Sequence, residues 1–261
     1  MNNKQMQVGI NRRLQLEWLE QAAILYLQHQ SETAVREALR AYLQDRMPSG
    51  KRGTRGTRSL EQTVTILMRI WVTVPASAKA FRDDGLALLQ QLPAREQLPL
   101  QWGAVMAAYP FFARVADATG RLLSLQGEAA LPQIERRVYE QLGQRSTVTY
   151  ATRRIVRDYV DWGVLQDGQV KGVYHSGEGT QINDRGLATW LVEALLRANG
   201  SEIRPLSSLL QSSALFPFHL PALAPTDLDR NRRLDSFRQG LDQEMVMLAI
   251  DGSRSERPSH A

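Results

Sequence analysis

The sequence predicts a mainly α-helical protein that carries one small β-hairpin. Three observations lead to this fold class. Most of the chain places apolar residues at helical spacing, in segments bounded by prolines, glycines and capping residues. One segment, 163–175, instead alternates apolar and polar residues around Asp167-Gly168, which is typical of a tight hairpin turn. The hydrophobic content of 43% is sufficient for a core.

The N-terminal part of the chain is predicted to form a bundle of helices. Ser31 is placed to cap one of them, and Ser59 with Gln62 three residues later resembles a capping box that begins another. Four helices are predicted there, over 13–28, 31–42, 59–74 and 76–92.

The rest of the chain is predicted to contain more helices and the hairpin. Pro132 suits a first helical turn, and Asp184 can cap a helix that ends before Gly200. The predicted elements are two helices within 99–126 broken near Tyr109-Pro110, helices over 132–142, 147–162 and 184–199, a short helix over 205–213, and short strands over 237–239 and 245–250.

The helix predicted over 147–162 has two chemically opposite faces at 100° per residue. One face is apolar and comprises Val148, Ala151, Thr152, Ile155, Val156, Tyr159 and Trp162. The other is polar and basic and comprises Ser146, Thr149, Tyr150, Arg153, Arg154 and Arg157. The nearby acids Asp158 and Asp161 lie toward the far end of the helix. A helix, a short turn, a basic helix and a glycine-turned hairpin follow one another as in a winged helix-turn-helix, with the hairpin as the wing.

This order of elements predicts four regions. They are a helical N-terminal domain (1–95), a winged helix-turn-helix domain (96–200), a C-terminal extension with a short helix and strands (201–250) and a disordered tail (251–261).

The basic face favours binding to double-stranded DNA. Arginine can contact the O6 and N7 of guanine together, and hydroxyl groups near a helix N-terminus can donate to phosphate. The residues expected in the major groove are Thr149, Tyr150, Arg153, Arg154 and Arg157. Those expected to hold phosphates are Arg145, Ser146, Thr147 and Lys171.

A second basic cluster lies in the N-terminal half. Lys51, Arg52, Arg55 and Arg58 place four cations and no acid within eight residues. Such a loop could add salt-sensitive phosphate contacts, although an ordinary solvated loop is an equally good interpretation. The net charge of +5 is compatible with a polyanionic partner.

Composition gives little support to other classes of function. The chain has no cysteine, and its four histidines lack metal-ligand spacing. His175 and Glu178 lie in a glycine-rich loop, so we predict neither an enzyme nor a cofactor or metal site. No apolar run approaches the roughly 18 residues of a membrane span, and the first 13 residues lack a signal-peptide pattern. We therefore expect a cytoplasmic protein without a membrane partner.

Several short motifs resemble one known family. They are Tyr109-Pro-Phe-Phe112, Arg145-Ser-Thr-Val148, Val160-Asp-Trp-Gly-Val164 and Gly172-Val-Tyr174. These segments are similar to the BrxA family, small helical proteins of the BREX phage-defence systems. The resemblance spans about residues 10–220, is carried mainly by 100–175, and has no counterpart after 220. It implies a DNA-binding accessory protein of prokaryotic anti-phage defence, beside larger ATPase and methyltransferase partners and without a catalytic site.

Two other functions remain open. The same fold could serve as a protein–protein adaptor within a defence complex, its arginines paired with carboxylates of a partner. It could also be a transcriptional regulator of its operon, which should have a dimerisation element and a preferred palindromic site. No heptad stretch is evident, which slightly disfavours the regulator.

Overall fold

The computed structural model describes residues 8–47, 54–93, 96–200, 202–240 and 243–249. These residues are mainly helical, as predicted. The helices are α1 (Leu16–His29), α2 (Glu32–Gln44), α3 (Thr54–Trp71), α4 (Lys79–Gln91), α5 (Leu98–Ala108), α6 (Pro110–Gln126), α7 (Leu131–Leu142), α8 (Ser146–Asp161), α9 (Arg185–Ala198), α10 (Leu206–Leu210) and α11 (Pro225–Asp229). The strands are β1 (Glu128–Ala130), β2 (Leu165–Asp167), β3 (Val173–Ser176), β4 (Thr180–Gln181), β5 (Arg204–Pro205), β6 (Phe218–His219), β7 (Leu234–Gln239) and β8 (Gln243–Leu248).

The predicted helix starts are confirmed where a side chain caps the helix. Ser31 accepts a hydrogen bond from the Ala34 N–H at the start of α2. Asp184 accepts one from the Leu187 N–H, at 2.7 Å, at the start of α9. The predicted break between α5 and α6 falls at Tyr109, and Pro110 begins the next helix.

The predicted start of the third helix is wrong. Helix α3 begins at Thr54, so Ser59 lies inside it and its carbonyl oxygen accepts the Thr63 hydroxyl. The basic segment predicted as a loop over 51–58 is therefore helical from Thr54 onward. Gly56 lies within this helix despite its low helix propensity, so the local preference is overridden.

Short strands form three small sheets. The first is antiparallel in the order β1-β3-β2, with Ala129 opposite Tyr174 and Gln166 opposite His175. The predicted hairpin is thus confirmed, and β1 adds a strand that the sequence did not indicate. The second sheet pairs β4 with β6, and the third has the order β5-β8-β7. Strands β7 and β8 confirm the two strands predicted near the C-terminus.

One cluster of buried apolar side chains extends from Ile10 to Val246. At its centre, the Trp102 ring lies 4.9 Å from Phe112 and 4.8 Å from Tyr159, measured between ring centroids. The indole N–H of Trp102 donates to the Ala214 carbonyl oxygen at 3.1 Å. The cluster contains residues on both sides of positions 95 and 200. The domain boundaries expected at these two positions stay predictions.

No single helix among the described residues is long and apolar enough to cross a bilayer. Only the bent pair formed by 56–71 and 76–91, which meet at 62°, reaches that length and hydropathy together.

Candidate nucleic-acid interface

The elements from α6 to β3 follow one another as helix, strand, helix, helix and two strands. Helix α7 ends at Gly143, whose positive φ of 80° turns the chain, and α8 begins at Ser146. Gly163, with a φ of 76°, then turns the chain from α8 into β2. Helix α7 packs on α8, α8 packs on β2, and β3 lies between β1 and β2. The helix pair and the hairpin therefore form one compact unit.

One face of α8 is fixed in the core. All seven residues of its predicted apolar face are buried, which confirms that face: Val148, Ala151, Thr152, Ile155, Val156, Tyr159 and Trp162. The Thr152 hydroxyl donates to the Val148 carbonyl within the helix, and two aromatic residues make polar contacts to other elements. The Tyr159 hydroxyl donates to the Phe112 carbonyl at 3.2 Å, and the Trp162 indole N–H donates to the Leu14 carbonyl at 2.8 Å. These contacts fix the rotation of α8 about its own axis, so its opposite face points outward.

Asp158 lies toward the far end of α8, as predicted, and its side chain is on the buried face of the helix. Its side chain is only 2% exposed and accepts the Leu14 N–H at 3.1 Å. Arg13 lies 3.7 Å away and also pairs with Asp161. Burial raises the pKa of Asp158 well above its usual range, and the opposing effects of Leu14 and Arg13 are smaller.

Two arginines of the outer face already contact carboxylates of neighbouring elements. Arg153 Nε donates to Glu135 of α7 at 2.6 Å, and this hydrogen bond raises the pKa of Arg153. Arg157 donates to Asp167 of β2 at 2.8 Å. Arg154, between them in sequence, is half-buried. The outer face therefore combines cations with fixed carboxylate partners.

The polar residues near the start of α8 differ in their exposure to solvent. Ser146 and Thr147 are exposed, and Tyr150 is 63% exposed. Thr149 instead bonds to the Tyr139 hydroxyl at 2.7 Å and to the Arg145 carbonyl. Its hydroxyl is thus engaged within the helix pair.

Arg145 and Lys171 are the remaining residues that were predicted to contact phosphates. Arg145, just before α8, is half-buried and donates to the Leu142 carbonyl at 3.2 Å. Lys171 is exposed in the turn of the hairpin, next to Val170, which is 67% exposed.

The predicted basic cluster of the N-terminal half is only partly described. Lys51 and Arg52 lie outside the described residues. Arg55 belongs to the first turn of α3, and Arg58 is exposed on the same helix. Helix α3 packs mainly against α1, α2 and α5. The structure therefore does not bring these arginines into the unit formed by α7, α8 and the hairpin.

Two contributors to this surface were missed from the sequence. Glu135 and Asp167 pair with arginines 18 and 10 residues away, and no local pattern reveals such pairs. The burial of Asp158 could have been predicted, because it follows Ala151 by seven residues, nearly two helical turns, and so shares its face. Among the residues that the structure describes, no three His, Asp or Glu side chains are grouped as metal ligands.

Comparison of the chain with protein-family models, with curated proteins and with solved structures yields no match.

Proposed function

We propose that the unit from α6 to β3 is a winged helix-turn-helix and that it binds double-stranded DNA through the outer face of α8. The observation that carries this proposal is the placement of Arg153, Arg154 and Arg157 on a helix whose other face is buried, directly beside an antiparallel hairpin. Strand β1, which closes a three-stranded sheet with the hairpin, supports the winged form. The chain would then serve as a non-enzymatic accessory protein of prokaryotic anti-phage defence, as the resemblance to the BrxA family implies.

The geometry suits the major groove. That groove is about 12 Å wide and admits one α-helix. Helix α8 would enter it with Tyr150, Arg153, Arg154 and Arg157, while the exposed Ser146 and Thr147 of its first turn lie toward the backbone. The exposed Lys171 at the hairpin turn would contact an adjacent phosphate.

The internal ion pairs are compatible with this role. Exposed pairs contribute only about 0–1 kcal/mol, so exchanging the carboxylate partner of Arg157 for a phosphate costs little. In the protein without DNA, Glu135 and Asp167 hold the guanidinium groups of Arg153 and Arg157 along the outer surface of α8. The same carboxylates repel the phosphates of DNA. We therefore expect tight binding only where the bases offer the arginines stronger hydrogen-bond acceptors than the carboxylates do.

The test compares two double variants in duplex-DNA binding at several salt concentrations. Arg153→Ala/Arg157→Ala is expected to weaken binding at least about tenfold, since a good arginine contact to a base edge contributes about 1–3 kcal/mol, and to make the salt slope shallower because two cations leave the surface. The matched control is Arg40→Ala/Arg204→Ala, because these arginines are each 40% exposed, close to the 54% and 45% of Arg153 and Arg157, and are likewise paired with carboxylates. The control is expected to bind like the wild type.

Equal binding by both double variants would contradict the assignment of α8. Fluorescence anisotropy with a labelled duplex gives the affinities, and circular dichroism checks that each variant is folded.

Removing the carboxylate beside Arg157 is expected to have the opposite effect. Asp167→Asn frees the guanidinium and removes a negative charge from the surface, so DNA affinity should rise a few-fold at low salt and less at high salt. Glu202→Gln, at the exposed partner of Arg204, is the matched control and should change little. An affinity that falls in Asp167→Asn would show that the pair orients Arg157 more than it competes with DNA.

A protein-docking function is the second candidate, favoured by the 63% exposure of Tyr150 beside the arginines. Tyrosine and arginine are enriched at the energetic centres of protein interfaces. The adaptor proposal expects no duplex binding by the wild type at low salt, together with a complex with another defence protein that Tyr150→Ala weakens. The regulator proposal instead expects a strong preference for one palindromic site.

A further inference from the structure

A cavity of about 780 Å³ lies away from α8, where five elements meet. Its walls come from the end of α3, the start of α4, the facing parts of α5 and α9, and the β7–β8 hairpin. Four arginines from separate parts of the chain line it: Arg69, Arg82, Arg197 and Arg233. No aspartate or glutamate of the described residues is among its lining side chains. Its volume is within the range of small-molecule sites, about 300–1,000 Å³.

A buried carboxylate behind the wall fixes two of these arginines. Glu193 is fully buried and accepts from Arg197 Nε and from Arg233 Nε, each at 2.9 Å. Arg233 also pairs with Asp84 at 2.6 Å. Both guanidinium groups are thereby held in one orientation at the edge of the cavity.

The other two arginines differ in their surroundings. The Arg82 side chain is 7% exposed, with its guanidinium bonded to the Trp71 and Val72 carbonyls and to Asp83. Arg69 is exposed, and its guanidinium lies 5.1 Å from the centre of the Tyr109 ring.

Four guanidinium groups therefore face three carboxylates, namely Asp83, Asp84 and Glu193, which leaves one positive charge at the cavity. No ion pair with a carboxylate is found for Arg69 among the described residues, so its charge is the one most available to a ligand.

A hydroxyl group and an apolar wall complete the site. Helix α4 continues from a short 3-10 turn, Ala76–Ala78, and its first N–H, that of Lys79, donates to the Ala76 carbonyl oxygen. Ser77 of this turn is exposed and lines the cavity, so its hydroxyl can donate to an anion. Ala104, Ala107 and Ala108 of α5 form a smooth wall, while the Trp71 and Phe81 side chains behind the cavity are buried in the core. This wall matches a flat apolar group.

We propose that this cavity binds a small phosphorylated ligand with a flat ring, a nucleotide, with Arg69 contacting its phosphate. The Ser77 hydroxyl would donate to the same phosphate, and the alanine wall would hold the ring. The proposal does not depend on DNA binding by α8.

The test is isothermal titration of the full chain with ATP, ADP, adenosine and inorganic phosphate. The nucleotides are expected to bind with a dissociation constant below about 1 mM, and adenosine and phosphate at least about tenfold more weakly, because each offers only half of the contacts. No detectable binding of either nucleotide, or equally tight binding of adenosine, would overturn the proposal.

Substitutions test whether the nucleotide binds in this cavity. Arg69→Ala should weaken nucleotide binding about tenfold, and Ala107→Leu should weaken it by reducing the cavity. Arg121→Ala, an exposed arginine on α6 outside the cavity, is the matched control and should bind normally. The Arg153→Ala/Arg157→Ala variant should also bind normally, which separates this site from the DNA surface. Equal nucleotide affinity in Arg69→Ala and Arg121→Ala would rule out this cavity.

Discussion

Replacing Trp102 with alanine is expected to lower the free energy of unfolding by about 4 kcal/mol, within the 3–5 kcal/mol typical of large aromatic residues in cores. Its side chain is fully buried. Its ring packs against five aromatic rings from three other parts of the chain, namely Phe112, Tyr159, Trp162, Phe216 and Phe218. The alanine would leave a cavity among them and would also leave the Ala214 carbonyl without its donor.

Urea unfolding followed by circular dichroism measures this loss. Trp102→Phe, which keeps a ring but removes the N–H, should lose clearly less. Tyr150→Ala is the exposed aromatic control and should stay within about 0.5 kcal/mol of the wild type. A Trp102→Ala variant as stable as Tyr150→Ala would contradict the central position of this ring.

Replacing Asp158 with alanine is expected to lower the free energy of unfolding by about 2 kcal/mol. The substitution removes the acceptor of the buried Leu14 N–H, and an unsatisfied buried donor costs about 1–3 kcal/mol. Asp158→Asn keeps a side-chain oxygen at that position, so we expect it to lie within about 1 kcal/mol of the wild type. Comparing the two variants therefore separates the contribution of the hydrogen bond to the free energy of unfolding from the contribution of the charge.

The charge of Asp158 predicts a pH dependence with a definite sign. Because burial raises its pKa above the unfolded value of about 3.9, the folded state binds more protons between those two values. The stabilisation is complete below the unfolded pKa and is lost as the pH rises through the folded pKa.

Unfolding of the wild type and of Asp158→Asn should be compared from pH 5 to pH 8. The stability of the wild type relative to Asp158→Asn should fall with rising pH. A stability difference that grows in favour of the wild type would mean that the ion pair with Arg13 outweighs burial.

The sequence predicted best what depends on neighbouring residues along a helix. The caps at Ser31 and Asp184 and the buried face of α8 all follow from such local patterns. Strand β1 could not be predicted in this way, because Glu128-Ala-Ala has no preference for strand and is extended through its pairing with β3. The early start of α3 likewise runs against the low helix propensity of Gly56.

The same distinction applies to the candidate DNA surface. The outward positions of Arg153 and Arg157 follow from the helical period, but their partners Glu135 and Asp167 depend on how α7 and β2 pack. Asp158 could be placed on the buried side by its spacing from Ala151. Its partner Leu14, 144 residues away, is set by tertiary structure alone.

The attachment of α8 to the core affects the thermodynamics of any binding at its outer face. Tyr159 and Trp162 tie the helix to α6 and to the segment before α1, so α8 cannot unfold locally without breaking those contacts. Its backbone amides should therefore exchange with solvent as slowly as those of the core. A partner would meet a helix that is already ordered, and association should show none of the large negative heat-capacity change that accompanies folding on binding.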